Sequence, residues 1–123
     1  MAIFGIGIDL IEVKRIRQAL ERFGDRFKNR IFTLTEQNFC ESQKNKYLSY
    51  AARFAAKEAF SKALGTGLRG IISWQDINII DDEKTPPKLE IRGRAKEILN
   101  NKKTLLSITH TNEYANAIVI IED

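Results

Sequence analysis

Hydrophobic residues along this chain follow two periods, and the switches between them mark out its elements. From Ile3 to Asp9 the pattern alternates, with Ile6, Ile8 and Leu10 on one face and Ile3, Gly5, Gly7 and Asp9 on the other. That alternation predicts a buried strand ending on a carboxylate. Val13, Ile16, Leu20 and Phe23 then recur at helical spacing among Lys14, Arg15, Arg17, Glu21 and Arg22, with Gly24 as the stop. The expectation is a surface helix with a basic outer side. Thr33 and Glu36 have the spacing of a capping box, which opens a short helix to about Ser42. The segment KNKYLSYAARFAAKEAFSKALG is the strongest helical stretch and closes on Gly65. Its Ala52, Ala56, Ala59 and Ala63 form a stripe of small side chains that permits close packing, while Phe54, Glu58, Ser61 and Lys62 gather on a different face.

Beyond Gly70 the pattern becomes that of strands. Ser73 to Ile80 and Lys88 to Arg92 flank a DDEKTPP turn, and Pro86 and Pro87 are confined to that connection. A short helix follows over Arg94 to Asn100, and Leu105 to His110 pairs with Ala115 to Ile121 as a hairpin rich in β-branched residues. The segment GTGLRG follows a helix instead of opening one, so it reads as a cap and turn and not as a phosphate cradle.

Composition sharpens this picture in a few places. At 123 residues with 43% hydrophobic content the chain is one domain, 1–123. A domain of this size buries only about two thirds of its unfolded surface, so completing its core or its site by oligomerising is a plausible route. The net charge of +4 suits an anionic partner of any kind. One cysteine, Cys40, excludes an internal disulfide, fits a reducing compartment and reads as a buried small hydrophobe. Asp9 interrupts the apolar start, so neither a signal peptide nor a membrane span is expected, and the expected location is cytoplasmic.

With one histidine and one cysteine, the chain barely owns the ligands of a zinc site. Asp9 and Glu58 are the carboxylates set among apolar or small residues, where an unpaired charge is costly. They are either solvated or salt-bridged acids or half of an oxygen cage for a hard cation, completed by substrate phosphate. Lys62 is placed for an i, i+4 ion pair with Glu58. His110 is a hydrogen-bonding strand-end residue, a phosphate contact or a proton shuttle. Arg15 and Arg22, seven apart on the first helix, are a solvated face or a docking ridge for an acidic helix.

Three blocks in order, GIGIDLIEVKRI, RFAAKEAFSKALGTG and SITHTNEYANAIVI, resemble the holo-(acyl-carrier-protein) synthases, the small trimeric type of 4′-phosphopantetheinyl transferase, over nearly the whole chain. The resemblance implies an α+β fold, in which a small, mainly antiparallel sheet packs with one long helix and shorter helices, and an active site between subunits of a homotrimer. It implies magnesium on Asp9 and Glu58, Lys62 on the phosphates of coenzyme A, His110 at the diphosphate and Arg53 near the cofactor. Pro87 stands in the loop where the family usually has glycine, a basic residue and proline, here KTPPK. The basic run before the long helix reads KNK, so either Lys44 or Lys46 is expected at the 3′-phosphate. Apo acyl carrier protein is the implied partner, docking on Arg15, Arg22 and Arg26.

The implied reaction is attack of a carrier serine on the β-phosphate of coenzyme A, with adenosine 3′,5′-bisphosphate leaving. Glu58 itself and a water activated by the cation are two candidate acceptors of the serine proton. Two rival readings are a magnesium-dependent phosphohydrolase using the same carboxylates and a small basic nucleic-acid-binding module. The second lacks any recognition-helix or stacking motif, and a basic docking helix has little use in a hydrolase of small substrates.

Overall fold

A computed structural model describes residues 2–123. The elements follow the order β1 (Ile3–Glu12), α1 (Val13–Phe23), α2 (Asp25–Ile31), α3 (Leu34–Glu41), α4 (Lys46–Leu64), a 3₁₀ turn (Trp74–Asp76), β2 (Ile77–Ile80), β3 (Lys88–Ile91), α5 (Gly93–Leu99), β4 (Lys103–His110) and β5 (Tyr114–Glu122). β1, β5 and β4 form an antiparallel sheet in that order, and β2 pairs with β3 in a second, two-stranded sheet. The α+β expectation is met.

Helix α4 lies across the three-stranded sheet, and its alanine stripe explains how closely. A Cβ on Gly7 would overlap the Ala59 carbonyl oxygen, and one on Gly5 would overlap that of Ala63. Strand and helix backbones therefore touch where both sequences are at their smallest. Ala115, Ala117, Val119 and Ile121 of β5 complete this layer, fully buried beneath the helix.

The other face of β1 overturns one expectation. Ile6, Ile8 and Leu10, expected inside a buried strand, are 61%, 57% and 62% exposed, and Leu105 of β4 continues the apolar surface. Alternation places these side chains away from α4, and no element among the described residues covers them. β1 also runs beyond Asp9 to Glu12.

Two further differences have local causes. Ser73 to Asp76 is a 3₁₀ turn and not the start of a strand, because the Ser73 hydroxyl accepts the Gln75 N–H at 3.1 Å and Asp76 accepts the Ser73 N–H at 3.2 Å. These side-chain bonds compete with ladder formation. Helix α2 has only Phe27 and Ile31 as apolar markers at helical spacing, too few to announce it, and it starts directly after Gly24 at φ 56°.

The capping box at Thr33 forms as expected and does more than cap. Glu36, 1% exposed, accepts the Thr33 N–H at 2.8 Å and the Ile79 N–H at 2.6 Å and pairs with Lys57 at 2.7 Å. Lys57, fully buried on α4, also donates to the carbonyls of Ile31 and Trp74 at 2.7 and 3.2 Å. Burial pushes the Lys57 amine below its usual range, opposed by Glu36. Cys40 is fully buried, and burial pushes its thiol up to about 11, which leaves it inert as a nucleophile. No helix among the described residues is long and apolar enough to cross a membrane.

The Gly7 contact sets a stability test. Gly7→Ala should cost about 3 kcal/mol in urea unfolding, because helix and strand must separate. Gly65→Ala, in the left-handed region at φ 91° and ψ 4° but with nothing within 4 Å of the new Cβ, should cost about 1 kcal/mol. Equal costs would show that β1 does not press on α4.

Candidate active site

Asp9 lies two residues beyond Gly7 on the same face of β1, so the close packing of strand on helix delivers its carboxylate to α4. There Lys62 donates to Asp9 Oδ1 at 3.2 Å and to the Ile8 carbonyl at 3.0 Å. The lysine side chain is 50% exposed and the aspartate 16%. Glu58, one helical turn before Lys62, is half-buried, and its carboxyl is pushed above the usual range. Burial is the main cause and the charge of Asp9 the next, while Lys62 and Arg69 pull the other way.

Lys62 therefore pairs with the strand, not with Glu58 in the i, i+4 pair that helical spacing alone allows. Ser61, which the spacing places on the same face as Glu58 and Lys62, does not share it. It is fully buried, with its hydroxyl donating to the Glu58 carbonyl at 2.7 Å. Phe54 leaves the charged cluster too, stacking on Trp74 with ring centroids 5.0 Å apart. Asn116 of β5, absent from the sequence reading, donates to the Asp9 carbonyl at 3.0 Å and steadies the strand from the sheet side.

Among the described residues no third acid, histidine or cysteine joins Asp9 and Glu58. Two carboxylates are too few for a resident structural ion. They do fit a hard cation such as magnesium, which draws its remaining oxygens from substrate and water. Glu58 is held where a nearby positive charge would relieve both its burial and its repulsion from Asp9.

A second group of predicted residues meets elsewhere. A cavity of about 400 Å³ at the amino-terminal half of α4 is lined by Lys44, Arg53, Asp81, Pro87, Ile108 and His110, among others. Lys44 stands in the turn before the helix, Arg53 is buried on it, Pro87 ends the loop before β3 and His110 ends β4. Lys46 is not there. It pairs with Glu41 at 3.4 Å, lies over the Tyr47 ring and faces a different depression, beside Lys28 and Tyr50. Of the two lysines in KNK, the cavity holds Lys44.

Asp9, Glu58 and Lys62 are not among the residues lining this cavity. Arg53 and Lys62 are nine positions apart, which at about 100° per residue turns them to opposite faces of α4. Arg15 and Arg22 on α1 and Arg26 on α2 are exposed and form no ion pair among the described residues. Arg17, by contrast, reaches Glu21 at 4.0 Å.

In the metal-free protein, carboxyl NMR should place Glu58 above an ordinary glutamate. Asp9→Asn should bring it down, and Lys62→Met should send it further up. Indifference of Glu58 to both substitutions would break the cluster apart.

Comparison with known proteins follows the same lines. The chain matches the family described as the 4′-phosphopantetheinyl transferase superfamily over residues 5–119. It is 45% identical to the holo-(acyl-carrier-protein) synthase of Koribacter versatilis over 98% of this chain and 99% of that one. Among solved structures, the holo-(acyl-carrier-protein) synthase of Bacillus anthracis in complex with CoA (3′,5′-ADP) is 39% identical, with a TM-score of 0.82 over 98% of this chain and 96% of that one. The synthase from Neisseria meningitidis is 34% identical, with a TM-score of 0.90 over 99% and 100%.

Proposed function

The chain belongs to the 4′-phosphopantetheinyl transferase superfamily, and we propose that it transfers the 4′-phosphopantetheine group of coenzyme A to a serine of apo acyl carrier protein, releasing adenosine 3′,5′-bisphosphate. The observation that carries this reading is the full-length match to a synthase solved with coenzyme A, in a chain whose Asp9, Glu58 and Lys62 form one charged cluster. Nothing in the comparisons favours the phosphohydrolase or the nucleic-acid module.

The site is shared between copies. Lys44, Arg53, Pro87 and His110 open on one face of α4, and Asp9, Glu58 and Lys62 stand on the other, so a single chain presents two half-sites. The uncovered row Ile6, Ile8, Leu10 and Leu105 supports burial against further copies, as in the homotrimer that the family resemblance implies. One copy's carboxylates then face a neighbour's basic cavity. A cytoplasmic location accompanies this reading, in keeping with a single reduced thiol.

Within that shared site, Asp9 and Glu58 are the residues to hold magnesium, which when bound offsets charge on the diphosphate. Lys62 leaves half its surface open to reach a phosphate while its ammonium stays anchored at β1. Lys44 and Arg53 bind the nucleotide phosphates, Pro87 bounds the pocket, and His110 donates a hydrogen bond to the diphosphate. The carrier serine attacks the β-phosphorus, its proton passes to Glu58 or to a water at the carboxylate pair, and the bond to the nucleotide phosphate breaks. Exposed Arg15, Arg22 and Arg26 dock the acidic carrier and set its rate of encounter.

Intact mass of apo acyl carrier protein, after incubation with this protein, coenzyme A and magnesium, should rise by one phosphopantetheine. Asp9→Ala, Glu58→Ala or a chelator should abolish the gain, and Arg15→Glu should slow it when carrier is limiting. A folded protein that modifies none of several carriers would defeat the reading.

Subunit mixing tests the shared site separately. Asp9→Ala and His110→Ala chains, each inactive alone, should regain about a quarter of wild-type activity when dissociated and reassembled together, since a random pairing joins the two intact halves about one time in four. No recovery, or full activity from a monomer by light scattering, would place both halves in one chain.

A further inference from the structure

Arg53 is held on almost every side. Its side chain is 4% exposed, Nη1 donates to the Ser49 carbonyl at 3.2 Å, Nη2 donates to Asp81 Oδ2 at 3.3 Å, and the guanidinium lies 4.4 Å above the centroid of the Phe39 ring. Its Nε is buried without a partner among the described residues. Of these contacts only Asp81 carries a negative charge. The second oxygen of the same carboxylate, Oδ1, accepts the Glu83 N–H at 3.0 Å, where the chain turns at φ 66°. Glu83 and Pro87 line the cavity that Arg53 lines from the other side.

One carboxylate thus fastens the arginine on α4 to the loop forming the opposite wall. We propose that Asp81 is a positioning residue for the nucleotide end of the coenzyme A pocket, fixing the plane of the Arg53 guanidinium and the start of the 81–87 loop before ligand arrives. This role rests on reading the cavity as the coenzyme A site. A buried guanidinium left with one neutral carbonyl bears a large desolvation cost, so without Asp81 it swings toward water and leaves the Phe39 face. The ligand must then reorder both arginine and loop as it binds, which weakens binding without touching the transfer step.

Asp81→Asn keeps the size of the side chain and an oxygen for the Glu83 N–H, and a thermal melt confirms its fold. In the intact protein it should weaken binding of adenosine 3′,5′-bisphosphate by calorimetry, and raise the KM for coenzyme A, by about tenfold, the worth of a charge-assisted hydrogen bond. kcat and the KM for carrier protein should stay within about twofold of wild type, because Asp81 orders the pocket and not the reacting groups. In an Arg53→Gln background the Asp81→Asn substitution should have no further effect on binding. Wild-type affinity in Asp81→Asn, or an undiminished loss in the Arg53→Gln background, would overturn the role while leaving the pocket assigned. A wild-type protein that binds neither ligand would remove the pocket assignment and this role together.

Discussion

The backbone contact between β1 and α4 is the constraint from which the candidate site follows. Gly5 and Gly7 meet the carbonyls of Ala63 and Ala59 with no room for a Cβ, so the strand lies directly on the helix. Alternation then commits the next residue on that face, Asp9, to the same contact, within 3.2 Å of Lys62. Any larger residue at Gly7 would lift the aspartate away from Glu58 and Lys62. The same alternation commits Ile6, Ile8 and Leu10 to the far side. The geometry that assembles the carboxylate pair thereby creates an apolar face that the described residues leave open.

A second constraint fixes the middle of α4. Glu36 and Lys57 form an ion pair with no exposed surface, and such a pair survives burial only when its remaining hydrogen-bonding capacity is met. Here it is met by Thr33, Ile79, Ile31 and Trp74, so α3, α4, β2 and the 3₁₀ turn are bound to one charge centre. Neighbours in sequence divide the work. Lys57 anchors the helix inward while Glu58 faces the site, and Cys40 and Ser49 close the interior beside Arg53 with a contact of 3.2 Å.

How much of this was legible in the sequence depends on the range of the interaction. Local chemistry read well: the Thr33 capping box, the Gly65 stop, the alanine stripe and the terminal hairpin all stand where spacing puts them. Periodicity also separates the two faces of β1 correctly, yet it says which residues are apolar and not which element covers them, so it cannot show that Ile6, Ile8 and Leu10 stay exposed in the single chain. Ser73 to Asp76 reads as strand by composition, yet two side-chain bonds to backbone outweigh that weak β preference and make it a 3₁₀ turn. The choice between Lys44 and Lys46 depends on Glu41, five residues before Lys46, and no motif encodes that pairing. Nothing in the acidic turn marks out Asp81, because its partner, Arg53, lies 28 residues away.

A helix with two functional faces also ties assembly to chemistry. Arg53 and Lys62 share α4 but look in opposite directions, so each helix serves two different sites in the proposed trimer, one through each face. A shift of α4 within its own chain would disturb both sites at once, which gives physical weight to the fastenings along its length. Those are the glycine contacts near its end, the Lys57 pair at its middle and the Arg53 to Asp81 bridge near its start. The small size of the chain makes this economical: one rigid helix, held at three points, positions the proposed magnesium ligands for one neighbour and the proposed nucleotide contacts for the other.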